Sequence, residues 1–186
     1  MGSHEQYLIR ISKYLSKHLR HAPDKIGIQL ESGGWVDVET LLAATDRHGF
    51  KMTYAELAQV VATNNKQRFA FDATGTKIRA NQGHSVDIDL ELEAVSPPAM
   101  LYHGTATRFL ASIMRDGLLK MRRHHVHLSA DVATAYNVGS RHGTPMILQI
   151  DARGMANAGF TFWRSANGVW LVNHVPVAFL QQPDAS

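Results

Sequence analysis

The chain has no cysteine. Disulfides, thiolate nucleophiles and cysteine-bound zinc are therefore excluded, while the redox compartment is left undetermined. Long apolar runs are missing too. None reaches the roughly 18 residues of a membrane-spanning helix, and the N-terminus has no hydrophobic signal core. A soluble cytoplasmic protein is the expectation. There is no repeat and no low-complexity tract, and neither sign of charge predominates strongly. Nineteen Lys and Arg against 16 Asp and Glu leave a formal charge of +3, with a pI near 9.3. That bias suits an anionic ligand but is too weak to establish nucleic-acid binding. Eleven histidines would raise the charge in mild acid. Met1-Gly2-Ser3-His4 reads as a remnant of expression and is set aside.

What is present suffices for a packed interior. The 186 residues are 45% hydrophobic and 19% charged, enough for one ordinary domain or two small ones. The stretch from Leu101 to Asp131 organises the rest. Tyr102-His103-Gly104-Thr105 closes one strand; Phe109, Leu110, Ile113 and Met114 recur at helical spacing before Gly117; Val126-His127-Leu128-Ser129 alternates as a second strand. Two histidines on neighbouring strands, beside a glycine that lets backbone approach a ligand, outline a cleft for a polar small molecule. On spacing alone, satisfied structural histidines are the plainer reading.

Before that stretch, Leu8, Ile11, Leu15 and Leu19 predict an amphipathic helix over 6–18, closed by Arg20-His21-Ala22-Pro23. Ser12, Lys13, Ser16, Lys17 and Arg20 share its polar side, where Lys17 reads as a surface cation. An arginine fork beside a titratable donor, as in Arg20-His21, suits a phosphate. Gly33-Gly34 turns into a short strand at Trp35-Val36. Asp37 caps a second helix that closes at Gly49, and Thr53 with Glu56 forms a capping box for a third. Asn64-Asn65-Lys66-Gln67 is a polar break. Residues 68–72 and 77–80 then read as a hairpin, giving the helix–helix–helix–hairpin order of a winged-helix module. Residues 86–95 alternate as a charged edge strand. Ser96-Pro97-Pro98 marks a boundary. Beyond Ser129, a capped helix, a strand at 146–150, a short Ala/Met segment and strands at 160–163, 169–172 and 177–180 make this half β-dominated.

Six motifs occur in one order: Ser12-Lys13 to His21, Arg79 to Ser85, Tyr102-His103-Gly104-Thr105, His125 to Ser129, Val138-Gly139-Ser140-Arg141-His142-Gly143, and Asn167-Gly168-Val169-Trp170-Leu171. From roughly Gln6 to Leu180 the chain resembles the NAD-dependent RNA 2′-phosphotransferases, the KptA family. The resemblance implies an α+β fold, with a winged-helix-like RNA-binding lobe over 5–96 and an ADP-ribosyltransferase-like split-sheet lobe over 97–186. The implied reaction has two steps. The RNA 2′-phosphate attacks C1″ of the nicotinamide ribose and expels nicotinamide. The ribose O2″ then attacks phosphorus, giving RNA 2′-OH and ADP-ribose 1″,2″-cyclic phosphate. NAD+ is consumed and no metal is called for.

By the same resemblance Arg20, His21, Arg68 and Arg141 match the family's catalytic set, drawn from both lobes. His103, Gly104 and Thr105 match its nicotinamide-side loop, and His127 and Ser129 match its second strand. Val169 stands where related transferases place a glutamate, which fits an anionic nucleophile that needs no base. Arg122, Arg123, His124 and His142 read as a solvated face. The implied partner is an RNA with an internal 2′-phosphate, such as a ligated tRNA splice junction; no membrane is involved, and a monomer is expected. Two other classes stay open: a transferase that stops after ADP-ribosylating another nucleic-acid phosphate or a protein, and a winged-helix nucleic-acid binder that senses NAD+.

Overall fold

The structure, a computed structural model, describes residues 3–64 and 67–181. It is a mixed α+β chain of small antiparallel sheets, and it divides into two compact units, Met1–Glu91 and Leu92–Ser186.

The first unit is built on helix α1 (Ser3–Arg20). Its apolar stripe buries Ile11, Leu15 and Leu19 completely, so Ser3 and His4 simply extend the expected helix; Met1 and Gly2 lie outside the described residues. Strand β1 (Trp35–Asp37) leads into α2 (Val38–Arg47), where Asp37 accepts from the Thr40 amide at 2.8 Å. The Thr53–Glu56 capping box opens α3 (Tyr54–Thr63), supplying partners to amides that the first turn would otherwise leave unsatisfied. Of the polar break at 64–67, Asn65 and Lys66 lie outside the described residues, while Gln67 adopts φ 42°. Strands β2 (Phe69–Phe71) and β3 (Lys77–Ala80) follow, and the sheet order is β1-β3-β2. Leu41, Leu57, Phe69 and Ile78 close the core over α1.

Residues 86–95 do not form the expected strand. Leu90 is buried and its neighbours alternate, but the backbone finds no single partner: Ser85 N–H donates to Arg20, Gly33 N–H to the Asp89 carbonyl, and Val95 N–H to Phe162. The left-handed Glu91 (φ 51°) interrupts the extension. Among the described residues only Ala94 of this segment makes a bridge, to Trp163. Period-two burial thus marks an extended segment without requiring a ladder.

In the second unit β4 (Met100–Ala106) pairs along its whole length with β7 (Pro145–Asp151). Between them in sequence lie α4 (Leu110–Asp116), β5 (Leu118–Leu119), β6 (Val126–Leu128) and α5 (Val132–Gly139), the last capped by Asp131. After β7 come α6 (Ala152–Asn157), β8 (Phe162–Arg164), β9 (Trp170–Val172), β10 (His174–Val175) and β11 (Leu180–Gln181). The sheets are β11-β7-β4, β6-β9-β8 and the two-stranded β10-β5. The strand expected at 177–180 is a 3-10 turn over Val177–Phe179, entered from Pro176 and followed by β11. Proline has no amide to give a ladder there. Leu101, Leu148, Ile150, Phe162 and Val172 form the core.

Leu15, fully buried on α1, should cost about 2–5 kcal/mol when truncated to alanine. The same change at Leu119, 53% exposed, should cost under about 1 kcal/mol; denaturant unfolding of both variants checks the contrast.

Candidate functional site

One cluster gathers where α1 ends. His21 and Ala22 amides both donate to the Lys17 carbonyl, at 3.0 and 3.1 Å, and the His18 ring donates from Nδ1 to the Ala22 carbonyl at 3.0 Å. This terminates the helix with Arg20 half-buried and His21 exposed. The segment after β3 returns across it. Asn81 N–H donates to the Arg68 carbonyl at 2.9 Å, Ser85 N–H donates to the Arg20 carbonyl at 2.9 Å, and the His21 Nδ1 and Ser85 Oγ are 2.9 Å apart. Arg20 also donates to the Arg68 carbonyl at 3.4 Å, and its guanidinium lies 5.9 Å from the Phe69 ring centre. Arg68 in turn donates to Asn64 Oδ1 at 3.3 Å, and Asn64 donates to Ser12 Oγ at 3.3 Å. Arg68 thus lines a groove of about 590 Å³ with Ser12, Gln59, Thr63 and Asn64. Arg20, His21 and Arg68, far apart in sequence, are brought together.

The second cluster lies where two sheets of the second unit meet. Tyr102 and Ser129 exchange backbone bonds of 2.9 and 2.8 Å, an isolated bridge between β4 and the residue after β6. One residue further along β4, the His103 ring donates from Nδ1 to the His127 carbonyl at 3.1 Å. A side chain thus makes the next link. Arg123 donates to His127 Nδ1 at 2.9 Å. Close packing by protein lowers the His103 pKa; the bond to His127 opposes this weakly, and Arg123 and His142 add to the lowering. The ring keeps some solvent contact as a half-buried residue, but its enclosure dominates and the imidazole is neutral at pH 7.

Packing also requires the bare backbone at Gly104. A Cβ there would run into the Ala135 carbonyl of α5, and one at Gly139 would come within 2.6 Å of the Thr105 carbonyl. The bare backbone therefore seats α5 on β4. Arg141 follows α5 in a 3-10 turn over Ser140–His142, exposed and in the second unit. Val169 is pinned by Ser165, whose backbone and hydroxyl bond it in a tight turn before β9.

Residues 6–174 match the family model described as RNA 2′-phosphotransferase, Tpt1/KptA family. The chain belongs to that family. It is similar to a protein of Nostoc punctiforme named "Probable RNA 2′-phosphotransferase", with 58% identity over 94% of this chain and 97% of the relative. Proteins of the same name from Herpetosiphon aurantiacus and Streptomyces coelicolor share 57% and 51% identity, each over 97% of the relative and 95% and 96% of this chain.

The cluster at the end of α1 holds two guanidinium groups and an imidazole on neighbouring stretches of chain. The pair at β4 and β6 brings two imidazoles to neighbouring strands, and burial keeps that of His103 uncharged. Sequence reasoning missed Asn64, Ser85 and Arg123. Ser85 ends a motif already singled out, whereas the four-residue spacing of Arg123 and His127 has no meaning outside a helix. Among the described residues no three His, Asp or Glu side chains group to hold a metal, and no helix is long and apolar enough to cross a membrane.

Two outcomes follow from this geometry. Gly104→Ala should destabilise toward the upper end of the roughly 1–3 kcal/mol typical of overpacking, because the obstacle is helix backbone and not a movable side chain; denaturant unfolding measures it. The second outcome concerns pH. Burial holds the His18, His103 and His125 pKa values below their ordinary value. Below about pH 6.5 the unfolded chain therefore binds more protons than the native one, so stability falls with acidification until the depressed native values are passed. Thermal unfolding from neutral to mildly acidic pH should show this decline, less steeply in His18→Gln; a flat profile would refute it.

Proposed function

We propose that this chain removes an internal 2′-phosphate from RNA by transferring it to NAD+, with the first unit as a winged-helix-like RNA lobe and the second as an ADP-ribosyltransferase-like lobe. The observation that carries this reading is the convergence of Arg20, His21 and Arg68 at the end of α1. Supporting the NAD+ side, β4 and β6 meet at one bridge beside His103, with Gly104, Thr105, His127 and Ser129 around it.

In the first step a phosphate oxygen bonds to C1″ of the nicotinamide ribose while the C1″–N bond breaks and its electron pair leaves with nicotinamide. The nucleophile is already anionic, so the protein's task is orientation. A neutral imidazole at 103 can hydrogen-bond the substrate without setting a new positive charge beside its cationic ring, and His127 stands on the neighbouring strand. In the second step O2″ gives up its proton and bonds to phosphorus, the bond from phosphorus to the RNA 2′-oxygen breaks, and that oxygen takes up a proton, so that the net change moves one proton from O2″ to the leaving oxygen. Negative charge accumulates on a crowded five-coordinate phosphorus, where fixed cations help most. Arg20, Arg68 and Arg141 are assigned to that charge. His21, its ring oriented by Ser85, is assigned to the leaving oxygen, since an imidazole can donate a hydrogen bond or a proton there. The products are RNA 2′-OH and ADP-ribose 1″,2″-cyclic phosphate.

The steps should separate by mutation. Loss of one such stabiliser typically slows a step by roughly a hundred- to a thousandfold. Arg20→Ala, His21→Ala and Arg141→Ala should therefore accumulate an RNA 2′-phospho-ADP-ribose species that the parent protein does not. Incubation of 2′-phosphorylated RNA with labelled NAD+, read by gel and mass spectrometry, tests this. Equal slowing of nicotinamide release and final product in all three variants, with no intermediate, would refute the assignment. A parent protein that releases no nicotinamide would refute the proposed reaction itself.

A further inference from the structure

We infer that Asn81 is a positioning residue for Arg68: its carboxamide holds the Gln67 carbonyl and so fixes the turn from which the Arg68 guanidinium is presented. The inference rests on the reading of Arg68 as a ligand of the RNA 2′-phosphate, and it adds a residue outside the set assigned to that charge.

Strands β2 and β3 pair with Phe69 opposite Ala80, so Arg68 and Asn81 form the next rung. The Asn81 N–H donates to the Arg68 carbonyl at 2.9 Å. The regular ladder ends there, but the Asn81 side chain reaches one residue further and donates from Nδ2 to the Gln67 carbonyl. A carbonyl can only accept, so it is the amide nitrogen and not the oxygen that faces Gln67. One residue thus holds two successive carbonyls, through its backbone and through its side chain. Asn81 is 7% exposed, so water competes little for either bond.

Gln67 needs that hold. Its φ of 42° is left-handed, a conformation that residues with long side chains seldom adopt and that persists where the surroundings over-determine it. Here the Gln67 N–H donates to the Asn64 carbonyl at 2.7 Å, and the Gln67 carbonyl is taken by Asn81. Arg68 depends on the same turn, because its Nη1 donates to Asn64 Oδ1 at 3.3 Å and Asn64 Nδ2 donates to Ser12 Oγ at 3.3 Å. With the Gln67 carbonyl released, Gln67 can relax toward ordinary φ, and the direction of the chain entering Arg68 changes with it. Arg20 is spared. It donates to the Arg68 carbonyl, which Asn81 holds through its backbone whatever side chain stands at 81. A side chain that merely filled space here would be apolar. Among the described residues the buried Asn81 Oδ1 has no partner, a cost that an aliphatic side chain avoids. The donor half of the carboxamide is the half in use.

The test uses the full chain as parent, Asn81→Ala, Asn81→Leu, Arg68→Ala and the variant combining Asn81→Ala with Arg68→Ala. Binding is measured to 2′-phosphorylated and 2′-hydroxyl RNA of one sequence. Asn81→Ala and Asn81→Leu should each reduce the preference for 2′-phosphorylated RNA about five- to tenfold, the worth of about one hydrogen bond, with NAD+ affinity unchanged. The kcat/KM for nicotinamide release should fall with it. In the Arg68→Ala background Asn81→Ala should change neither quantity, because no guanidinium is left to place. A residue needed only for folding would instead lower both backgrounds alike. Amide hydrogen exchange reads the turn itself: the Gln67 N–H should exchange faster in both Asn81 variants, while the α2 amides keep their parent rates and show that the unit is folded. Losses that add in the combined variant overturn the inference. So does an unchanged preference in Asn81→Ala, or an unchanged Gln67 exchange rate. A parent protein with no preference for the 2′-phosphate refutes the phosphate reading of Arg68 and the catalytic half of the inference with it; faster Gln67 exchange in that case still establishes the hold of Asn81 on the turn.

Discussion

The candidate ligand face of the second unit depends on a single bridge between two sheets. Tyr102 and Ser129 exchange two backbone bonds, and no further main-chain rung joins β4 to β6 among the described residues. A continuous ladder would leave no opening, and separate sheets would leave His103 and His127 unrelated. One rung with a side chain as the next link keeps the two strand ends adjacent. On the other side of β4, the bare backbones of Gly104 and Gly139 let α5 lie against the strand, so the position of Arg141, which follows α5, is tied to the same strand. Strand, helix and cation are therefore set by close packing, where interiors have little give.

The end of α1 solves a related problem with other means. Helix termination frees carbonyls, and here those of Lys17, Arg20 and Ala22 are all taken up, by His21 and Ala22 amides, the Ser85 amide and the His18 ring. The segment from Asn81 to Ser85 makes two of the connecting bonds: Asn81 holds the Arg68 carbonyl and Ser85 holds that of Arg20. Capping a helix and assembling a cation cluster are thereby one structural event. Like charges would otherwise separate in water, and the backbone bonds that satisfy the helix end are what keep Arg20 and Arg68 near one another.

Much of this was legible in the sequence because it is written in local rules. Asp37, Thr53 with Glu56 and Asp131 cap the helices that their types and spacing announce, and the stripe through Ile11, Leu15 and Leu19 faces the core. The failures are equally physical. Alternation over 86–95 reports burial of one edge, and a ladder also needs a partner, which no local pattern encodes. Val177 to Phe179 is apolar enough for a strand, but the turn entered from Pro176 takes a 3-10 path. Gly104 was noticed for its missing side chain, and the neighbour that packing brings against it, Ala135, lies thirty-one positions on, beyond the reach of any local pattern. Arg123 was passed over because its contact depends on a left-handed turn at Met121, a conformation that methionine does not advertise.

The two clusters differ in charge in a way that the proposed chemistry explains. The set at the end of α1 is built on guanidinium groups, which remain cations at any working pH. The pair at β4 and β6 is built on imidazoles, and burial holds His103 neutral. A phosphate that must first act as a nucleophile and then pass through a more highly charged state gains from permanent cations at both stages, and more at the second. A ligand that carries a cationic ring would lose from them. Arginine and histidine are both basic in a composition count, yet desolvation separates them, because it can switch an imidazole off at neutral pH and cannot do so for a guanidinium. The overall charge of +3 conceals that division, and only the packing around each group reveals it.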